Sequence, residues 1–298
     1  MSEQTYRQAP KGFTPQQWEQ FMTEGFLVIE NALSQDEIDH YLEAIDRCCA
    51  ADAKYDPGEF YMTENMVERD PAFAELIDHP RHVGFAYDIY GELLKLHISQ
   101  IFIRPPADAQ MHWHHDGPRV VPYAVFAPEL SLQVKISYWL TDLPRARMGN
   151  FVYMPGSHRS QYSEHYHTHE RAKGERILCV PKGTMTLVQG NTWHRVEPNE
   201  SDVVRKNIFL SYCPSWICEG DRYASSPAWL KTLNREQRII MRSYSDGYHR
   251  AKPPAEDFPL FLDRETGSDS DSDADTPVPL KQRKRRTMHE KLEMPASS

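Results

Sequence analysis

The chain has 298 residues, 40% of them hydrophobic and 26% charged, which supplies enough apolar material for a sizeable buried core. Its net charge of −9 argues against a general affinity of the folded body for nucleic acid, and no apolar run approaches the roughly 18 residues of a membrane span. The opening MSEQTYRQAPKG lacks the basic-then-apolar pattern of a signal peptide, so a cytoplasmic location with no membrane partner is expected. The cysteines agree: Cys48 and Cys49 are adjacent, Cys179 is isolated, and Cys213 and Cys218 lack the spacing of a zinc knuckle or redox motif. Reduced, buried thiols are expected.

In chain order, residues 13 to 50 predict helix, short strand, helix. Thr14 caps the first helix with Pro15 in its first turn, Gly25 stops it, and Phe26 to Ile29 forms a buried strand. Ser34 and Glu37 make a capping box, after which Ile38, Tyr41, Leu42 and Ile45 recur on one helical face. From about residue 98 the period changes. ISQIFIR, LQVKISYWL, NFVYM, RILCV, TMTLVQG and KNIFLSY are short runs rich in β-branched and aromatic residues, separated by turn-forming clusters. Their density up to residue 212 indicates a compact antiparallel sandwich or barrel. A further helix is expected around Ser226 to Arg242. Residues 1–265 therefore form a single expected domain: a helical support at 13–97, a β core at 98–212 and a helical segment at 213–265. Residues 266–298, with SDSDSDAD and KQRKRR, are expected to be a disordered charged tail, offering nucleic acid no more than a weak contact.

The stretch QMHWHHDGPR, residues 110 to 119, carries the chemistry. In a strand, side chains two apart share a face, so His114 and Asp116 offer an imidazole and a carboxylate to one point. These are two members of a 2-His-1-carboxylate set, the arrangement that holds ferrous iron with open positions. His194, eighty residues later in GNTWHRVEPN, is the candidate third ligand. Arg205, eleven residues beyond it, supplies the fixed cation that a 2-oxo acid cosubstrate needs for its distal carboxylate.

Trp113-His114-His115-Asp116, Pro155-Gly156-Ser157-His158-Arg159, and His194 followed by Asn199, Ser201 and Arg205 resemble the phytanoyl-CoA dioxygenase (PhyH) family of Fe(II)/2-oxoglutarate-dependent oxygenases. FMTEGFLVIENALSQDEIDHYLEAID is similar to that family's opening segment, and the resemblance runs from about residue 13 to 212. It implies a mainly β fold with flanking helices, a double-stranded β-helix (cupin-like jelly roll). It also implies His114, Asp116 and His194 as catalytic iron ligands and Arg205 as the 2-oxoglutarate anchor. Ser201, with Asn199, falls in the same motif and is expected to support that carboxylate or shape the turn. Gln133 resembles a position lining the cosubstrate pocket. Family members that halogenate replace the metal-binding carboxylate with a small residue; here Asp116 is present, which favours hydroxylation. Met148-Gly149-Asn150, ahead of the Pro155 turn, departs from the family pattern.

The implied reaction uses Fe(II), 2-oxoglutarate and O2, forms succinate and CO2, and hydroxylates an unactivated C–H bond of a small molecule. The nearby cations and imidazoles favour a polar or anionic substrate. His112, His158 and Arg104 are the candidate substrate contacts, although structural roles are the default for histidines in a sandwich, and solvation is the default for Arg104, Arg119, Arg145, Arg147 and Arg159. Trp113 and Trp193 are expected to brace the ligand strands. His165, His167 and His169 alternate in a polar segment that reads as a solvated loop with at most adventitious metal binding. Two rival functions are a catalytically silent jelly-roll binding or regulatory protein and a cupin-type metalloenzyme that uses no 2-oxo acid.

Overall fold

Side chains adjacent in sequence fix the ends of the first two helices in the computed structural model, which describes residues 6–116, 131–159 and 168–264. Helix α1 (Pro15–Glu24) starts where Thr14 Oγ1 accepts from the Gln17 N–H (3.2 Å) and Gln17 Oε1 accepts from the Thr14 N–H (3.0 Å). It ends at Gly25, whose φ of 71° is left-handed. Strand β1 (Phe26–Ile29) follows, and α2 (Gln35–Ala51) begins from the Ser34–Glu37 box. Next come β2 (Tyr61–Glu64), α3 (Pro71–Ala74) and α4 (Val83–Tyr90); β1 is the strand expected in this segment, and β2 is one the sequence reading did not name.

The remaining strands are β3 (Leu94–Arg104), β4 (Met111–His114), β5 (Val134–Trp139), β6 (Phe151–Tyr153), β7 (Arg176–Ile177), β8 (Thr184–Gln189), β9 (His194–Val196) and β10 (Arg205–Pro214). They pair antiparallel in two sheets, ordered β1-β8-β5-β10-β3-β2 and β4-β9-β6-β7. This is the mainly antiparallel architecture that the strand pattern predicts.

Strand alternation sorts the large sheet into two faces. Ile208, Leu210 and Tyr212 of β10, Ile136 and Tyr138 of β5 and Leu187 of β8 join Ile38, Tyr41, Phe73 and Phe85 in the main core beneath the helices. Each fully buried aliphatic side chain there contributes about 1.5–3 kcal/mol. That outer face holds the wall in place and leaves the inner face free to carry polar groups. His82 ties the two layers: its ring nitrogens meet the Tyr138 hydroxyl at 2.7 Å and the Tyr212 hydroxyl at 2.8 Å.

The C-terminal helical stretch is interrupted. Helix α5 (Pro227–Leu230) ends, and α6 (Arg235–Met241) restarts from Asn234, which accepts from the Gln237 N–H (2.8 Å) while Gln237 Oε1 accepts from the Asn234 N–H (3.1 Å). A capping box inside the apolar pattern is the physical reason for two helices in place of one. Helix α7 (Gly247–Ala251) follows. In RILCV only Arg176 and Ile177 pair as strand. All five cysteines are free thiols, but Cys179 and Cys218 are exposed, which corrects the expectation that all are buried. Among the described residues no helix is long and apolar enough to cross a membrane. Arg119, His165, His167 and the charged segment 266–298 lie outside the described residues.

Candidate active site

Strand β4 of the small sheet ends on His114, Asp116 follows two residues beyond that end, and the register of β4 with β9 brings His194 alongside. His114 pairs directly with His194, and His194 with Tyr153 of β6. The ring centroids of His114 and His194 are 4.2 Å apart. Asp116, whose N–H donates to the Gly190 carbonyl (2.9 Å), places Oδ1 3.7 Å from His114 Nε2 and Oδ2 3.5 Å from His194 Nε2. Candidate ligand atoms of the three residues lie within 4.8 Å of one another, the arrangement of a metal-binding cluster.

Backbone carbonyls fix both imidazoles. Nδ1 of His114 donates to the His112 carbonyl (2.8 Å), and Nδ1 of His194 donates to the Thr192 carbonyl (2.9 Å). Each Nε2 lone pair is thereby left facing Asp116. Burial lowers the basicity of both rings, that of His194 to about 3, so both are neutral at physiological pH and able to ligate. Burial alone would push the Asp116 carboxyl up, but Lys135, then His194 and His114, outweigh it and hold the group well below the usual carboxylate range. On the opposite face Trp113 is fully buried; its Nε1 donates to the Glu170 carbonyl (2.8 Å), and the Arg195 guanidinium lies 5.6 Å from its ring. That packing braces the ligand strand.

A path of rings joins this cluster to Arg205. Phe151 stacks on His194 (4.7 Å), Trp139 meets Phe151 (6.4 Å), and the Arg205 guanidinium lies 5.4 Å from the Trp139 centroid. Arg205 is 2% exposed and donates to the Gly149 carbonyl. Directly opposite it in register stands Arg104, 4% exposed, which donates to the Ala109 carbonyl (2.8 Å). Burial first, and then Arg104, pulls the proton affinity of Arg205 well below the ordinary guanidinium range. Neither guanidinium forms an ion pair with a carboxylate among the described residues.

Among the rings of this inner face stand polar groups that lack partners. Both side-chain atoms of Asn207, the hydroxyls of Ser137 and Ser211, and Nε of Arg205 and of Arg104 are buried without a hydrogen-bond partner. Each such group costs about 1–3 kcal/mol when it is left unsatisfied, a cost that a polar ligand on this face would offset. Sequence reasoning missed Asn207, Ser137 and Lys135. The available signal was parity: once Arg205 points inward, Asn207 does too.

Other candidate residues have local partners. Ser201 Oγ donates to Asn199 Oδ1 (2.6 Å) and accepts from the Val203 N–H (3.2 Å), a turn-shaping role. Gln133 Nε2 meets His97 Nδ1 at 3.2 Å, while its Oε1 is buried without a partner. His158 is 1% exposed, and its Nε2 donates to the Met22 carbonyl (3.1 Å) at the end of α1, so it braces that helix. His112 faces His114 and His169, with centroids 5.8 and 6.2 Å away. In the departing segment, Asn150 Oδ1 accepts from the Met148 N–H (2.7 Å), and Gly149 has φ of 72°. An added Cβ there would lie 2.8 Å from Arg104 Cδ, so glycine is what lets the backbone approach both arginines.

The chain is 23% identical over 229 residues to a probable α-ketoglutarate-dependent hypophosphite dioxygenase of Stutzerimonas stutzeri, covering 66% of this chain and 77% of that protein. It is 25% identical over 229 residues to an ectoine dioxygenase of Nocardia farcinica, covering 64% and 75%. Its fold matches the crystal structure of HygX from Streptomyces hygroscopicus with nickel and 2-oxoglutarate bound, with a TM-score of 0.59, 18% identity and coverage of 68% of this chain and 88% of that one. The model of the phytanoyl-CoA dioxygenase (PhyH) family matches residues 21–207, well over half of the chain. The chain belongs to the phytanoyl-CoA dioxygenase family.

Proposed function

We propose that this dioxygenase depends on iron(II) and 2-oxoglutarate and hydroxylates a C–H bond of a small molecule, with His114, Asp116 and His194 as iron ligands and Arg205 as partner of the cosubstrate's distal carboxylate. The observation that carries this reading is the set of unpartnered polar groups on the face joining Arg205 to the two-histidine, one-carboxylate cluster. Two neutral imidazoles and an ionised carboxylate suit a ferrous ion, and a buried guanidinium with orphaned amide and hydroxyl groups beside it suits a keto diacid. The residues present fit both groups.

When bound, iron and 2-oxoglutarate supply the oxidising chemistry: O2 is consumed, 2-oxoglutarate gives succinate and CO2, and one oxygen atom enters the substrate. The chain supplies position and exclusion of water. The His112 and Thr192 carbonyls hold the imidazoles in the tautomer that presents Nε2. Arg205, held by the Gly149 carbonyl and Trp139, provides a fixed cation, while Asn207 and Ser137 offer hydrogen bonds along the inner face. Trp139, Phe151 and Phe209 are buried rings that keep bulk solvent from this face. Asp116 completes the ligand set of a hydroxylase.

The unit that does this is residues 1–265, working in the cytoplasm, where five free thiols persist. The substrate is a small polar or anionic molecule; the relatives named for hypophosphite and ectoine support this class. A silent binding protein, or a metalloenzyme without a 2-oxo acid, would have no use for Arg205 and the orphaned groups beside it. With Fe(II), 2-oxoglutarate and a metabolite library, wild-type protein should form succinate and a product heavier by one oxygen, and Asp116→Ala should form neither. Absence of succinate from the wild-type protein, coupled or uncoupled, would overturn the proposal.

A further inference from the structure

Lys135 is a charged residue of the inner face that the proposed chemistry leaves unused. It lies on β5, opposite Ser211 of β10 and Val188 of β8, and its side chain is only 11% exposed. Its ammonium is ion-paired with Asp116 Oδ2 and sits 4.9 Å from the centroid of the Phe209 ring. A buried cation is costly unless it is paired. The carboxylate that pairs this one is also a proposed iron ligand. A divalent ion on Asp116 would compete for the same oxygen and repel the ammonium, while the lysine stem stays held on its strand beside Phe209. The displaced cation then requires an anion near the metal. At the other end of β10 stands Arg205, six residues before Ser211 and on the same inner face. This face thus carries a cation toward each end, the charge pattern that an elongated dianion matches.

We infer that Lys135 binds the metal-side carboxylate of the 2-oxo acid and so couples metal and cosubstrate binding: it weakens the metal alone and strengthens the anion that joins it. This rests on the iron and 2-oxoglutarate reading above. The test uses the full chain and redox-inert Mn(II), with affinities measured by calorimetry and no turnover. Oxalate, which carries carboxylates and no distal arm, probes the metal-side contact, and 2-oxoglutarate probes both ends. Lys135→Met should bind Mn(II) alone about five- to tenfold more tightly, and once loaded it should bind oxalate and 2-oxoglutarate about tenfold more weakly. Lys135→Gln should repeat both signs with a polar tip in place, and Lys135→Arg should restore anion binding. Arg205→Met should lose affinity for 2-oxoglutarate and keep it for oxalate. Unchanged anion affinity in Lys135→Met, or weaker Mn(II) binding by that variant, overturns the role of Lys135 while leaving the iron reading intact. Failure of wild-type protein to bind Mn(II) overturns both.

Discussion

Replacing Arg205 by methionine should make the metal-free protein more stable while destroying its response to 2-oxoglutarate. The guanidinium is 2% exposed, faces the equally buried Arg104, and has no carboxylate partner among the described residues. Burying an unpaired charge costs several kcal/mol. Against that stand one hydrogen bond to the Gly149 carbonyl, about 1.5–3 kcal/mol for a charged donor, and the Trp139 ring, about 0.5–2 kcal/mol. Methionine keeps most of the apolar stem and removes the charge. The expected gain is about 1–3 kcal/mol, or a rise in Tm of ~2–5 °C for a chain of this size. Wild-type protein loaded with metal and 2-oxoglutarate at ~100 times Kd should gain about 2.7 kcal/mol from ligand binding, and Arg205→Met should gain nothing from 2-oxoglutarate. Differential scanning fluorimetry with and without ligand reads both effects. A metal-free Arg205→Met melting at or below wild type, or one that keeps the 2-oxoglutarate shift, would refute the reasoning.

Asn207→Leu removes an amide with no hydrogen-bond partner and keeps the branched four-atom side-chain skeleton; apo stability should hold or rise while 2-oxoglutarate affinity falls about tenfold, measurable by calorimetry on Mn(II)-loaded protein. Gly149→Ala places a Cβ against Arg104 at a left-handed φ and should cost about 1–3 kcal/mol in urea unfolding, with weaker 2-oxoglutarate binding because the Gly149 carbonyl supports Arg205. Burial first, then His79, holds His82 down at about 3, whereas in the unfolded chain it titrates near its ordinary value of about 6.5. The unfolded state therefore takes the proton first, and the contribution of His82 to stability is complete above about pH 6.5 and is lost as pH falls toward 3, by up to about 1.4 kcal/mol per pH unit. Urea midpoints at pH 7 and pH 5 should differ less in His82→Gln than in wild type; equal slopes would contradict this assignment.

The candidate pair was legible from the spacing of His114 and Asp116, although Asp116 lies past the end of β4 and is placed by its N–H bond to the Gly190 carbonyl; the capping residues Thr14, Ser34 and Gly25 announced the helix ends. The inner face was not legible. Whether positions 135, 137 and 207 share the face of Arg205 depends on how β5, β8 and β10 pair, and that register is set by contacts between residues far apart in sequence. Ser201 meets the Val203 N–H within its own turn, whereas His158 meets the Met22 carbonyl of α1, a contact between residues far apart in sequence. Asn234 acts locally, as Ser201 does, capping a new helix inside a pattern that read as one.

The central claim is that His114, Asp116 and His194 hold a ferrous ion to which 2-oxoglutarate binds. Anaerobic titration of Fe(II) into protein with excess 2-oxoglutarate, followed by visible absorption, tests it most directly. The account predicts a weak charge-transfer band that saturates at one iron per chain and is absent from His194→Ala; a wild-type titration without the band, or a His194→Ala variant that retains it, would contradict the account.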